Sequence, residues 1–179
     1  MTSSARSLGI RPPIAATAVI SADGRYRYLL ARRVGPGPNM ATFIMLNPST
    51  ADATVDDPTI RKCIGFSRRW RCGVLRVVNL FAFRATDLGL LKAAADPVGP
   101  ENLQWILRSV EDTEQPPVRS TVVCAWGVHG AHQNQDVAIL RLLQRRAIPL
   151  VALGLTKDGH PRHPLYAPYS SRRIPFVPR

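Results

Sequence analysis

Thr42-Phe43-Ile44-Met45-Leu46 is an apolar run long enough for one buried strand, and Asn47-Pro48-Ser49-Thr50 closes it with a turn signal. Downstream, Asp56-Asp57-Pro58 reads as a helix start, with acidic side chains at the positive end of the helix dipole and Pro in the first turn. Ile60, Cys63, Ile64, Ser67 and Trp70 then keep to one helical face. Gly73 is expected to stop that helix, and Val74–Leu80 to form a second strand. Pro100-Glu101 opens a helix carrying Leu103, Ile106, Leu107 and Val110. After the Gln115-Pro116-Pro117 loop, Thr121–Ala125 is a third strand, closed by Trp126-Gly127. Residues 136–146 are amphipathic, with Val137, Leu140, Leu142 and Leu143 expected inside; Ile148–Leu153 is a fourth strand, ended by Gly154. Apolar strands alternating with helices predict an α/β fold around a parallel sheet.

Upstream, Ile14–Ile20 and Tyr26–Arg33 are strand-like runs joined by Ser21-Ala22-Asp23-Gly24, a hairpin signal. The expected organisation is a flexible N-terminus over 1–12 and one α/β domain over 13–179, made of an added hairpin (13–38) and a core (39–179). At roughly 100–200 residues per domain, one domain fits the length of 179 residues. No run approaches the roughly 18 apolar residues of a membrane span, and Met1 to Arg11 is polar, so a cytoplasmic protein without a secretory signal or membrane partner is expected. Cys63, Cys72 and Cys124 lack metal-site or disulfide-framework spacing and read as buried free thiols.

The net charge of +12 comes from 24 basic against 12 acidic residues, and only Lys62, Lys92 and Lys157 are lysines. Arg forks phosphate and stacks on bases, so the composition points to nucleic acid. Arg32-Arg33, Arg68-Arg69-Trp70-Arg71, Arg145-Arg146 and Arg172-Arg173 are the clusters.

Polar residues fall at strand ends. Asn47, Asn79, Trp126-Gly127 and residues 156–164 each sit at or just beyond a strand's carboxyl end, the edge where open parallel sheets bind ligands. The Asn47 amide is suited to hold a water or substrate. Asn79 ends an apolar strand, and its buried amide needs both a donor and an acceptor partner, which a nucleobase edge offers. The Thr156–Leu165 segment holds two His-Pro pairs, His160-Pro161 and His163-Pro164. A zinc reading of His129, His132, His160 and His163 lacks Cys or acidic ligands at matching spacing, so no metal is expected. A Gly-x-Ser-x-Gly elbow, a dinucleotide fingerprint and a Walker loop are all missing. Asp52, Asp56, Asp57 and Asp87 are the carboxylates near the expected cleft.

In order, these segments resemble the motifs of the uracil-DNA glycosylase superfamily. Met45-Leu46-Asn47-Pro48-Ser49 is similar to its first motif in the Asn-Pro variant, and Gly73–Asn79 to its strand ending in a base-reading Asn. Ala125-Trp126-Gly127 resembles its Leu-Trp-Gly strand end, and His160-Pro161-Arg162-His163-Pro164-Leu165 its closing His-Pro motif with one residue extra. From about Thr42 to Pro168 the chain resembles still more closely a prokaryotic family known as domain of unknown function 1643.

The glycosylase resemblance implies a three-layer sandwich around a four-stranded, mainly parallel sheet. It implies a monomer needing no cofactor that hydrolyses the N-glycosidic bond of a modified or damaged base flipped from double-stranded DNA, in repair or phage defence. Asn47 would orient the attacking water, and His160 or His163 would face the departing base. Asn79 would read the base, with Phe66, Pro48, Ser49 and Trp126 around it. Arg68, Arg69, Arg71, Arg84, Lys157, Arg162, Arg172 and Arg173 would hold DNA. Asn47 stands where the main branch has a water-activating Asp, so a non-catalytic module binding nucleic acid or a modified nucleotide is the alternative, beside a hydrolase of free nucleosides or nucleotides.

Overall fold

A computed structural model describes residues 16–49, 51, 54–111 and 119–177. Strand β3 (Met40–Met45) lies mid-sheet with every residue buried. Strands β4 (Val74–Asn79) and β5 (Ser120–Cys124) flank it in parallel, and β6 (Leu150–Ala152) runs parallel beyond β5. An unbroken apolar run encodes this burial on both faces. Phe43 and Ile44, both at 0% exposure, each contribute about 1.5–3 kcal/mol by leaving water.

The expectation of four strands needs correction, because the sheet has seven and is mixed, in the order β1-β2-β4-β3-β5-β6-β7. The hairpin of β1 (Ala16–Ile20) and β2 (Arg27–Arg33) is no appendage: β2 pairs antiparallel with β4. At the far side β7 (Ile174–Pro175) adds antiparallel to β6. Both additions cover strands whose N–H and C=O groups would otherwise face solvent.

Helices lie on both faces. On one, α1 (Pro58–Arg69) packs Ile60, Cys63 and Phe66 against Phe43, Met45, Leu75, Val77 and Val123. On the other, α2 (Leu88–Ala93), α3 (Asn102–Val110) and α4 (Gln135–Arg145) set Leu91, Ile106, Val110, Ile139, Leu140 and Leu143 against Ile44, Val78, Val122 and Cys124. The one-turn α2 carries no amphipathic pattern. Its sequence signal is Asp87, whose Oδ1 accepts from the Leu90 N–H at 3.1 Å.

Several side chains differ from expectation. Phe66 is fully buried between Trp70 and Tyr169, because the buried stripe of α1 runs through Ile60, Cys63, Phe66 and Ser67, so it offers no ring to a ligand. Val137 and Leu103 face solvent. The helix is stopped not by Gly73 but by Arg71, at a left-handed φ of 56°, with the Cys72 N–H returning to the Ser67 carbonyl at 2.9 Å. Gly73 serves a different need, a backbone crossing against Gly35 and Gly37.

Cys63, Cys72 and Cys124 are free and buried. No helix among the described residues is long and apolar enough to cross a membrane. Residues 1–12, Ile14, Thr50, Asp52 and the Gln115-Pro116-Pro117 loop lie outside the described residues.

Candidate functional site

The crossovers fix where a cleft opens. The chain leaves β3 through α1 to reach β4 on one side, and leaves β5 through α4 to reach β6 on the other. With α1 and α4 on opposite faces, the connections diverge at the carboxyl ends of β3 and β5, the topological switch point of an open sheet. On the α1 side of that edge lies a pocket of about 170 Å³ lined by Arg27, Met45, Asn47, Ser49, Asp57 and His163, with Thr59, Ala85 and Thr86 completing it.

Local chemistry positions each group. The Asn47 Nδ2 donates to the Pro48 carbonyl at 3.1 Å and to the Ala85 carbonyl at 2.7 Å, and the Ala85 N–H donates to Pro48 at 3.0 Å. The loops after β3 and β4 are thereby laced together. With the amide protons so engaged, Asn47 has its Oδ1 acceptor to offer a ligand. Asp57 is the N-cap of α1, its Oδ1 accepting from the Ile60 N–H at 2.8 Å. A carboxylate accepts at two oxygens, so the cap leaves Oδ2 for the pocket.

His163 caps the short turn Pro164–Tyr166, its Nδ1 accepting from the Leu165 N–H at 3.4 Å. That bond puts the ring proton on Nε2, making it a donor. Burial pushes the His163 pKa below its ordinary value of 6.5, against a smaller opposing pull from the Asp57 charge. The neutral ring is therefore the form present at pH 7. In an NMR pH titration the His163 midpoint is expected below 6.5, and Asp57→Asn should move it lower still. Between the depressed midpoint and 6.5 the unfolded chain binds the proton and the native one does not. This group's contribution to stability is thus held above pH 6.5 and lost as pH falls.

Arg27 reaches the pocket through an irregularity. Between β1 and β2 the register passes from Val19↔Leu29 to Ile20↔Arg27, leaving Tyr28 as an extra residue. Tyr28 packs with Tyr26 near Trp105 of α3, whereas Arg27, 1% exposed, lines the pocket and donates Nη1 to the Ala51 carbonyl at 2.6 Å.

Of the predicted residues, Asn47, Ser49 and His163 line this pocket together, with Pro48 buried next to them. Asn79 does not line it. It is the Cα partner of Met45, a pocket wall, and is 1% exposed, with no hydrogen-bond partner for either amide atom among the described residues. His160 and Trp126 line a separate cavity of about 480 Å³ with Asp136, Leu140, Arg141 and Phe176. The backbone pairing of Thr156 with His160 and of Leu155 with Pro161 folds this loop on itself, and the extra residue before His163 carries the second ring to the α1 side. Arg84, next to the pocket residue Ala85, is half-buried and donates to the Gly24 carbonyl; Arg162 donates to the carbonyl of Leu155, a wall of the larger cavity, at 3.3 Å, and Lys157 is exposed in the same loop. Arg68, Arg69, Arg71, Arg172 and Arg173 are exposed elsewhere. Among the described residues no group of three His, Cys, Asp or Glu is placed to hold a metal ion.

Sequence reasoning missed Arg27 and Thr59 as pocket residues, and placed Asp57 near the cleft without giving it a role. Asp57 had a visible signal, since a helix-capping acid just after a strand-end turn lies on the ligand-binding edge. Arg27 had none, because a bulge decides its face.

The architecture and site define the class: an α/β protein whose mixed sheet carries a polar pocket at the carboxyl edge of its parallel strands. Over residues 27–165 the chain matches the family described as Protein of unknown function (DUF1643), and it belongs to that family. The match starts at the first residue of β2, so the strand bearing Arg27 falls within it. No curated protein and no solved structure matches the chain.

Proposed function

We propose that the protein hydrolyses the N-glycosidic bond of a modified or damaged base flipped out of DNA, in the manner of a uracil-DNA glycosylase-like enzyme. The observation that carries this reading is the convergence of Asn47, Ser49, Asp57 and His163 on one pocket at the carboxyl edge. The four central strands also run in parallel in the order β4-β3-β5-β6, consistent with a glycosylase-like sandwich extended at both sides. At about 170 Å³ the pocket falls below the roughly 300–1,000 Å³ of sites for drug-sized ligands, a scale suited to one heterocycle with its sugar-phosphate outside.

The residues divide the chemistry. Asn47 Oδ1 accepts from the attacking water and aims it at C1′. The water oxygen bonds to C1′, its proton passes to the Asp57 carboxylate, and the C1′–N bond breaks with its electron pair going to the base. His163 Nε2–H and the Arg27 guanidinium lower the energy of that departing anion. Asn79, buried beside Met45 and outside the pocket lining, has no direct contact with a base held there. Asp57 answers the want of an Asp at position 47.

Duplexes carrying uracil, hydroxymethylated or glucosylated bases, treated with alkali after incubation, reveal abasic sites as strand breaks. Breaks are expected with at least one of them, reduced about 100-fold by Asn47→Ala through loss of water positioning. Binding without breaks would favour the non-catalytic module, and release from free nucleosides but not DNA the free-nucleoside hydrolase.

A further inference from the structure

The basic residues are not spread evenly. Six exposed arginines, Arg33, Arg68, Arg69, Arg71, Arg119 and Arg173, gather around the C-terminal end of α1, the end of β2 and the starts of the parallel strands. Arg33 is the Cα partner of Val74, Val74 that of Met40, and the Met40 N–H bonds the Arg119 carbonyl, so a single row joins Arg33 to Arg119. At about 4.8 Å per strand that row spans about 14 Å. Arg68 donates Nε to the Val34 carbonyl at 3.2 Å, which fixes it at the end of β2. Arg173 lies 4.9 Å over the Trp70 ring at the end of α1, and Arg69 lies 5.0 Å over the Tyr169 ring.

Among the described residues none of the six takes part in an ion pair. Like charges so crowded repel one another, and arginines on a merely solvated face would disperse or pair with carboxylates. Here Arg68 is held by a carbonyl, Arg69 by an aromatic face, and Arg173 by an aromatic face and the Thr121 hydroxyl. Planar, preordered guanidinium forks in a row suit a linear anion with repeating phosphates.

We propose that this end of the molecule is a second contact surface, for a nucleic-acid phosphate backbone, separate from the pocket. Thr59 lines the pocket and Arg69 lies ten residues further along α1, about 15 Å at 1.5 Å per residue. Phosphates held here are therefore not those flanking a nucleotide in the pocket. The surface raises the concentration of nucleic acid at the protein irrespective of sequence and of any base modification.

The test uses the full chain and a short duplex of unmodified bases, with binding followed by fluorescence anisotropy across a salt series. Joint replacement Arg68→Gln, Arg69→Gln and Arg71→Gln should weaken binding at least tenfold and lower the slope of log K against log salt by about 2–3, at about 0.9 per lost phosphate contact. Arg119→Gln with Arg173→Gln, outside the helix, should lower it by about 2 and guards against a folding defect in the triple variant. Unchanged slopes in both variants overturn the proposal. So does loss of binding to phosphatidylserine vesicles with duplex binding intact, which would make the surface a membrane contact. Because the duplex holds no modified base, the outcome is independent of whether base release is ever detected.

Discussion

Asp57→Asn is expected to cut the single-turnover rate of base release by about 10²–10⁴-fold, the usual contribution of a general base, while the protein stays folded. The substitution separates the two duties of this side chain. Asn caps helices as well as Asp does, so its carbonyl keeps the bond from the Ile60 N–H and α1 starts where it did. What disappears is the group able to take the water's proton. Asp57→Ala removes both and should also lose about 1 kcal/mol of stability, a Tm decrease of about 2–4 °C for a chain of this size. If Asp57→Asn releases base at the parental rate, the carboxylate is a cap and nothing more, and the proposed chemistry needs another base.

The largest stability effect is expected from Gly73→Ala. The added methyl would fall on the Gly37 carbonyl oxygen, in space that backbone already fills. Neither strand can retreat cheaply, since the Gly73 N–H bonds the Asn39 carbonyl at 2.8 Å and the Gly73 carbonyl accepts from the Val34 N–H at 2.8 Å. A loss near 3 kcal/mol, the upper end of the roughly 1–3 kcal/mol range for overpacking, corresponds to a Tm lower by about 6–12 °C. A Tm within a degree or two of the parent would mean that the crossing is looser than its contacts imply.

The parallel core was legible because burial on two faces leaves unbroken apolar runs, and Thr42–Leu46 and Val74–Leu80 mark β3 and β4 within a residue or two. Helix α1 was legible from Asp56-Asp57-Pro58, a capping pattern that acts locally. The joining of the hairpin to β4 was not, since pairing between strands so far apart in the chain leaves no local mark on either. Phe66 could have been an exposed ring on a helix, whereas Phe43 lay in an apolar run; packing against Trp70 and Tyr169 puts Phe66 inside as well. For the site, strand-end polarity marked Asn47 and the His-Pro segment, but the choice between His160 and His163 depends on how one short loop folds back. Arg27 was hidden by parity: in a regular strand it would share a face with Leu29, not with Leu30.

That parity has an evolutionary corollary. Because the extra residue at Tyr28 sets which neighbour faces the pocket, gain of a single codon between Val19 and Ile20, giving Tyr28 a partner and restoring regular alternation, would turn Arg27 away and put an uncharged ring in its place without substituting any pocket residue. A one-residue insertion at this corner of the hairpin, ordinarily dismissed as noise at a domain's margin, is thus a route by which the charge of this pocket can change while its lining residues are kept.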